Sequence, residues 1–242
     1  MKNLLKIITA ALTLLFAVNV NAAVVGFVNN PTSNSTDWAS AVTSAGGTIN
    51  SNVNFDALST GAFDSTFYQG TDGVSFSTSG AFGGVFNGAG PGQANTGGSI
   101  IGEGIHAASN YLQGGSQEWS LTASFTSAIS GFGLSVIDLF ASETLTLEAF
   151  TGIDGTGTSL GLFTGIDQNF QRNGTYFLGL LSDSVNIRSV VFTDLNGGTG
   201  DIIGVDDIVF TDVSPVPVPA AAWLFGSALL GFFGFSRRNK KA

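Results

Sequence analysis

Apolar and polar side chains alternate one by one through much of this chain, and that period of two constrains its fold more than any other feature. In "EWSLTASF", Trp119, Leu121, Ala123 and Phe125 fall on one face of an extended chain, and Ser120, Thr122 and Ser124 fall on the other. This is the alternation of a strand with one buried face. "SGFGLSVID" repeats it with Phe132, Leu134 and Val136, and "ETLTLEAF" with Leu145, Leu147 and Ala149. "YFLGLL", "NIRSVVFTD" and "IGVDDIVFTD" are likewise short and rich in β-branched or aromatic residues. Turn residues able to take positive φ separate these runs: Asn50-Ser51-Asn52, Gly70-Thr71-Asp72-Gly73, Asp154-Gly155-Thr156-Gly157, Asn173-Gly174 and Asn196-Gly197-Gly198. No segment of the body reads as an amphipathic helix. The pattern predicts an all-β body over residues 23–213, an antiparallel two-sheet β-sandwich of jelly-roll-like form. The segment "GGVFNGAGPGQANTGGSIIGEG" reads as a long Gly-rich loop across one end.

Charge is distributed unevenly. The 242 residues have a formal net charge of −9, but six of the eight basic residues sit at the two ends, leaving Arg172 and Arg188 against all 17 acidic residues. A body this acidic repels nucleic acid and anionic lipid unless a divalent cation mediates, which excludes nucleic acid as a partner. There is no cysteine, so no disulfide braces the fold and stability must come from a packed core.

Both ends read as membrane signals. "MKNLLKIITAALTLLFAVNVNAA" has Lys2 and Lys6, an apolar run from Ile7 to Val18, and small residues that place a signal-peptidase cut after Ala22. Residues 1–22 are therefore read as an export signal. At the other end, residues 214–242 hold a proline motif, an apolar stretch over 219–235, and a basic tail of Arg237, Arg238, Lys240 and Lys241. A helix over 219–235 comes close to bilayer thickness. The basic tail stops transfer and stays in the cytoplasm, so the body lies outside the inner membrane. Pro215, Pro217 and Pro219 make the approach to the membrane stiff and extended.

"VPVPAAAWLFGSALLGFFGFSRRNKK" resembles the PEP-CTERM sorting signal of Gram-negative bacteria, in which a proline motif precedes one transmembrane helix and terminal arginines. The central glutamate of that motif is absent, and Val216-Pro217-Val218-Pro219 stands in its place. The resemblance covers the last 28 residues or so. It implies recognition by an exosortase, cleavage near the proline motif, and delivery to the cell surface or the exopolysaccharide matrix. A membrane anchor that is never cut fits the same hydropathy.

The body, through "NFDAL", "DGVSFST", "SFTSAISGFGLSV" and "IGVDDIVFTD", resembles β-sandwich modules found ahead of this signal, which are similar in outline to carbohydrate-binding jelly rolls. Such jelly rolls often hold a structural Ca²⁺ joining their first and last strands. Asp56 near the start and Asp206 and Asp207 near the end are the candidate ligands, with backbone carbonyls completing an oxygen set. The other reading of these acids is that they cap turns by bonding to backbone.

Signatures of catalysis are sparse. His106 is the only histidine, which excludes a multi-histidine zinc site, and no G-x-S-x-G motif occurs. "GTGTSLG" lacks the strand-to-helix context of a nucleotide loop, and "GGTGD" is a single unrepeated fragment. Glu103, Glu118, Glu143 and Glu148 could serve a glycoside hydrolase, but their spacing singles out no pair. Trp38, Tyr68, Tyr111 and Tyr176 are candidate sugar-stacking aromatics. The reading is a non-enzymatic, exported binding or structural sandwich whose partners are an exosortase, the inner membrane and exopolysaccharide.

Overall fold

The computed structural model describes residues 23–29, 33–87, 110–137, 144–166, 175–195 and 203–212. Residues 1–22, read as an export signal, residues 214–242, read as a sorting tail, and His106, Glu103 and Glu143 lie outside the described residues. Among the described residues no helix is long and apolar enough to cross a membrane.

The described residues form ten strands and one helix in the order β1 (Val24–Phe27), α1 (Asn34–Ser44), β2 (Thr48–Val53), β3 (Val74–Asn87), β4 (Asn110–Ile129), β5 (Gly131–Ile137), β6 (Thr144–Phe150), β7 (Ser159–Ile166), β8 (Thr175–Ser182), β9 (Ile187–Asp194) and β10 (Gly204–Asp212). Every pairing between them is antiparallel. One sheet runs β1-β8-β5-β10-β2 and the other β3-β4-β9-β6-β7. The two are joined where the first part of β4 pairs with β10, Leu112 opposite Val205. β4 turns this corner through an irregularity: Gly114 faces Phe82 and Trp119 faces Gly80, so residues 115–118 stand opposite Ala81 alone. Extra residues on one strand bend it and increase its twist.

The alternation read in the sequence decides which side chains enter the core. Leu134, Leu178, Leu180, Val205 and Ile208 from one sheet meet Leu121, Phe125, Leu147, Val190 and Phe192 from the other, all of them buried. Each such burial contributes about 1.5–3 kcal/mol before chain entropy is counted. β4, β5, β6, β8, β9 and β10 occupy the segments that the alternation marked.

Three local expectations differ from the structure. Residues 83–87, read as the opening of the Gly-rich loop, are the end of β3 and run along β4. Asn50-Ser51-Asn52 is the middle of β2, paired with β10, and not a turn. The body also contains a helix. α1 buries a single narrow stripe, Asn34, Trp38 and Val42, at intervals of four, and the rest of it is polar or small, so the sequence shows little amphipathic contrast. Asp37 in the first turn favours the helix dipole, and the Ser33 hydroxyl donates to its carboxylate at 2.6 Å. The helix packs on the outer face of β8. The Trp38 indole N–H donates to the Leu180 carbonyl at 3.0 Å, and the Asn34 amide donates to the Phe177 carbonyl at 2.9 Å. Glycine makes room for this contact: a Cβ on Gly179 would lie 2.9 Å from the Trp38 ring, and one on Gly133 would lie 2.3 Å from Phe177.

Candidate binding groove and acidic cluster

β3 is an edge strand, and the chain segment 61–65 runs beside it. Gly61 and Val85 exchange backbone hydrogen bonds of 2.8 and 2.9 Å, and the Phe76 N–H donates to the Ser65 carbonyl at 2.9 Å. Between these attachments lies a groove of about 480 Å³ lined by Phe63, Phe76 and Phe82, by the hydroxyls of Ser65, Ser77 and Thr78, and by glycine backbone. Phe76 is buried at its floor, whereas Phe63 and Phe82 are half-buried at its sides. The Phe63 ring centre is 6.1 Å from that of Phe76 and 5.8 Å from that of Phe82. Phe55 on one side and Trp119 on the other back these rings, at 6.2 and 6.0 Å.

Glycine sets the position of Phe82. The register of β3 shifts on either side of that residue. Gly80 has φ +76°, and a Cβ there would lie 2.3 Å from the Glu118 carbonyl oxygen. Only glycine accepts that conformation and that approach together. The adjoining loop is pinned by Asp64, whose carboxylate accepts from both the N–H and the hydroxyl of Thr66 at 2.9 Å. These two bonds hold its pKa below the usual value.

A second feature surrounds Tyr68. This side chain is 6% exposed, and its hydroxyl donates to the Asn54 carbonyl. Burial, reinforced by the negative charges of Asp72, Asp206 and Asp56, pushes its pKa up to about 12. Asp56 and Asp206, distant in sequence, are thus both near enough to act on one phenol. Asp206 is 1% exposed, and its carboxylate accepts the Asp207 N–H at 2.8 Å. Asp207 has φ +47° at a register shift of β10 against β5 between Asp206 and Val209. Simple strand alternation therefore does not describe the pair: a bulge re-aims one acid relative to the other. Among the described residues no group of three or more His, Cys, Asp or Glu is placed to hold a metal. Two carboxylates with main-chain oxygens are the donor type that Ca²⁺ takes.

Of the aromatics marked as sugar platforms, Trp38, Tyr68 and Tyr176 are all buried, at 1, 6 and 3% exposure. The Tyr176 hydroxyl donates to the Val28 carbonyl at 2.5 Å. These three are packing residues with satisfied polar ends. Glu118 is exposed in the β4 irregularity, and Glu148 accepts from the Ser159 hydroxyl at 2.6 Å. Neither lines the groove. The groove phenylalanines went unmarked in the sequence, where Phe is one of 21 and reads as core. The available signal was "FSTSGAFGG", an alternating strand broken by glycines.

No family model matches this chain, and no curated protein matches it. Among solved structures it is similar to the K2 cleaved adhesin domain of Lys-gingipain, at 11% identity over 66% of this chain and 98% of that one, with a TM-score of 0.46. It is similar also to the K3 adhesin domain of Lys-gingipain from Porphyromonas gingivalis W83, at 15% identity over 69% and 99% with a TM-score of 0.42. A third likeness is to a carbohydrate-binding module that recognises mannan, at 9% identity over 69% and 99% with a TM-score of 0.40. These are likenesses of outline between β-sandwiches.

Proposed function

We propose that this chain is an exported cell-surface or exopolysaccharide-matrix protein of a Gram-negative bacterium whose sandwich binds a polysaccharide in the groove beside β3. The observation that supports this most is the groove's lining. Half-buried Phe63 and Phe82 offer faces on which the C–H side of a sugar ring stacks, and Ser65, Ser77 and Thr78 supply hydroxyls beside them. The described lining offers aromatic faces and hydroxyls and includes no carboxylate or imidazole, so the reading is binding and not hydrolysis.

Delivery is read from the ends of the sequence. The chain is exported through residues 1–22 with the cut after Ala22, held by a transmembrane helix over 219–235, and cleaved by an exosortase near Val216-Pro217-Val218-Pro219. We further propose that one Ca²⁺ ion, held by Asp56 and by Asp206 or Asp207, ties the start of the sandwich to its last strand.

Affinity electrophoresis through gels containing the host's exopolysaccharide tests the binding reading. The body should be retarded, and replacing Phe63 and Phe82 together by alanine should abolish the retardation, since each stacked ring is worth about 1 kcal/mol. Equal mobility with and without the polysaccharide would overturn the groove assignment.

A further inference from the structure

The apolar part of the groove beside β3 has a shape that narrows what fits it. The Phe63 ring is tilted by 48° against Phe76 and by 59° against Phe82, so these rings form no single flat platform. They enclose a concave apolar corner, with buried Phe76 as its floor and half-buried Phe63 and Phe82 as its walls. The walls are braced from behind, Phe63 by the edge-on ring of fully buried Phe55 and Phe82 by buried Trp119. Close packing of this kind keeps the corner from flattening. Gly84 fixes the other side of the groove: it has φ +126°, and a Cβ there would lie 2.4 Å from the Gly61 carbonyl oxygen, so segment 61–65 can approach β3 only at glycine.

A pyranose can lay a C–H patch on one ring face, but a corner between tilted rings suits a compact apolar group such as a methyl. The polar side chains of the lining are the hydroxyls of Ser65, Ser77 and Thr78, and none is charged. Thr78 adds main-chain groups. The Phe76 N–H points away from β4, to the Ser65 carbonyl, and two residues further along the same regular stretch of antiparallel pairing Thr78 has the same outward direction. The acidic body, with Arg172 and Arg188 as its only basic residues, disfavours an anionic sugar. We infer that the groove selects a neutral 6-deoxyhexose, seated with its C6 methyl in the corner of Phe63, Phe76 and Phe82 and its ring hydroxyls toward Ser65, Ser77 and Thr78. This rests on the polysaccharide reading above and gives that site its class of sugar. A methyl borne on the ring brings no further polar group into the corner, whereas an acetamido methyl brings an amide, which is costly to bury unbonded.

The test varies one substituent. NMR titration of the protein recovered from its host compares free hexoses whose C6 is a methyl, a hydroxymethyl or a carboxylate, each in the galacto, manno and gluco configurations. In at least one configuration the methyl sugar should bind at least about tenfold more tightly than the hydroxymethyl sugar, the scale on which an apolar pocket discriminates so small a change, and the carboxylate sugar should bind most weakly. Saturation transfer from the protein should be strongest at the C6 methyl protons. A hydroxymethyl or carboxylate sugar that matches the methyl one in every configuration, or saturation centred on ring protons remote from C6, would overturn the assignment. So would an N-acetylhexosamine that binds more tightly than every 6-deoxyhexose. If none of these sugars binds while the host's polysaccharide still retards the protein in gels through Phe63 and Phe82, the polysaccharide reading stands and the 6-deoxyhexose assignment fails. If the polysaccharide does not retard it either, both fail.

Discussion

Asp206 is nearly inaccessible to solvent, and burying a carboxylate is costly unless hydrogen bonds or a cation compensate. Part of that compensation is visible in the Asp207 N–H, which the bulge turns toward the Asp206 carboxylate. The proposed Ca²⁺ would add to it by offsetting the combined charge of Asp206 and Asp56. On that proposal, adding Ca²⁺ to chelated protein raises Tm, and a hundredfold excess over Kd contributes about 2.7 kcal/mol. Asp206→Asn should remove the response. An unchanged melting curve in differential scanning calorimetry would refute the ion and leave the acids as backbone caps. The two aspartates are legible in the sequence because a DD pair inside a strand pattern is chemically conspicuous. Their left-handed kink is not legible, because aspartate is compatible with extended and positive φ alike. The groove phenylalanines are invisible for a related reason: a half-exposed Phe and a core Phe have the same alternation.

At the scale of elements, α1 illustrates how tertiary contact overrides local pattern. Its three-residue stripe would not hold an isolated 11-residue helix together. What fixes it is Trp38, buried against β8 with its indole N–H bonded to Leu180. Trp38→Ala should therefore cost about 3–5 kcal/mol and lower Tm by about 10 °C in calorimetry. Trp38→Phe should cost far less, since it retains most of the ring packing. A Trp38→Ala protein as stable as the parent would mean that the helix is an ornament on the sheet. The glycines of β5 and β8 were the readable hint. Gly131, Gly133 and Gly179 recur on the outward positions of neighbouring strands, a placement that weakens strands unless something large packs close. The strands themselves were readable because their inner faces are consistently apolar over several residues. The irregular corner of β4 was not, because "QGGSQ" carries turn residues through a segment that the pairing of β3 and β4 nevertheless incorporates.

For the whole molecule, composition and fold point the same way. A cysteine-free chain has to stabilise itself by packing, and two five-stranded antiparallel sheets joined through β4 and β10 provide a continuous core. The acidic body resists collapse onto polyanions and onto copies of itself, a property suited to a protein moving through a hydrated matrix. The groove lies against β3, so ligand contact on this reading falls at an edge of the sandwich. The central claim, delivery of this sandwich to the surface or matrix by a read and removed address, is tested most directly by intact mass of the protein recovered from the native host. The account expects a supernatant or surface species that begins at Ala23 and ends near Pro217-Val218-Pro219. A protein found only in membranes with Arg237, Arg238, Lys240 and Lys241 still attached would contradict it and make the tail a permanent anchor.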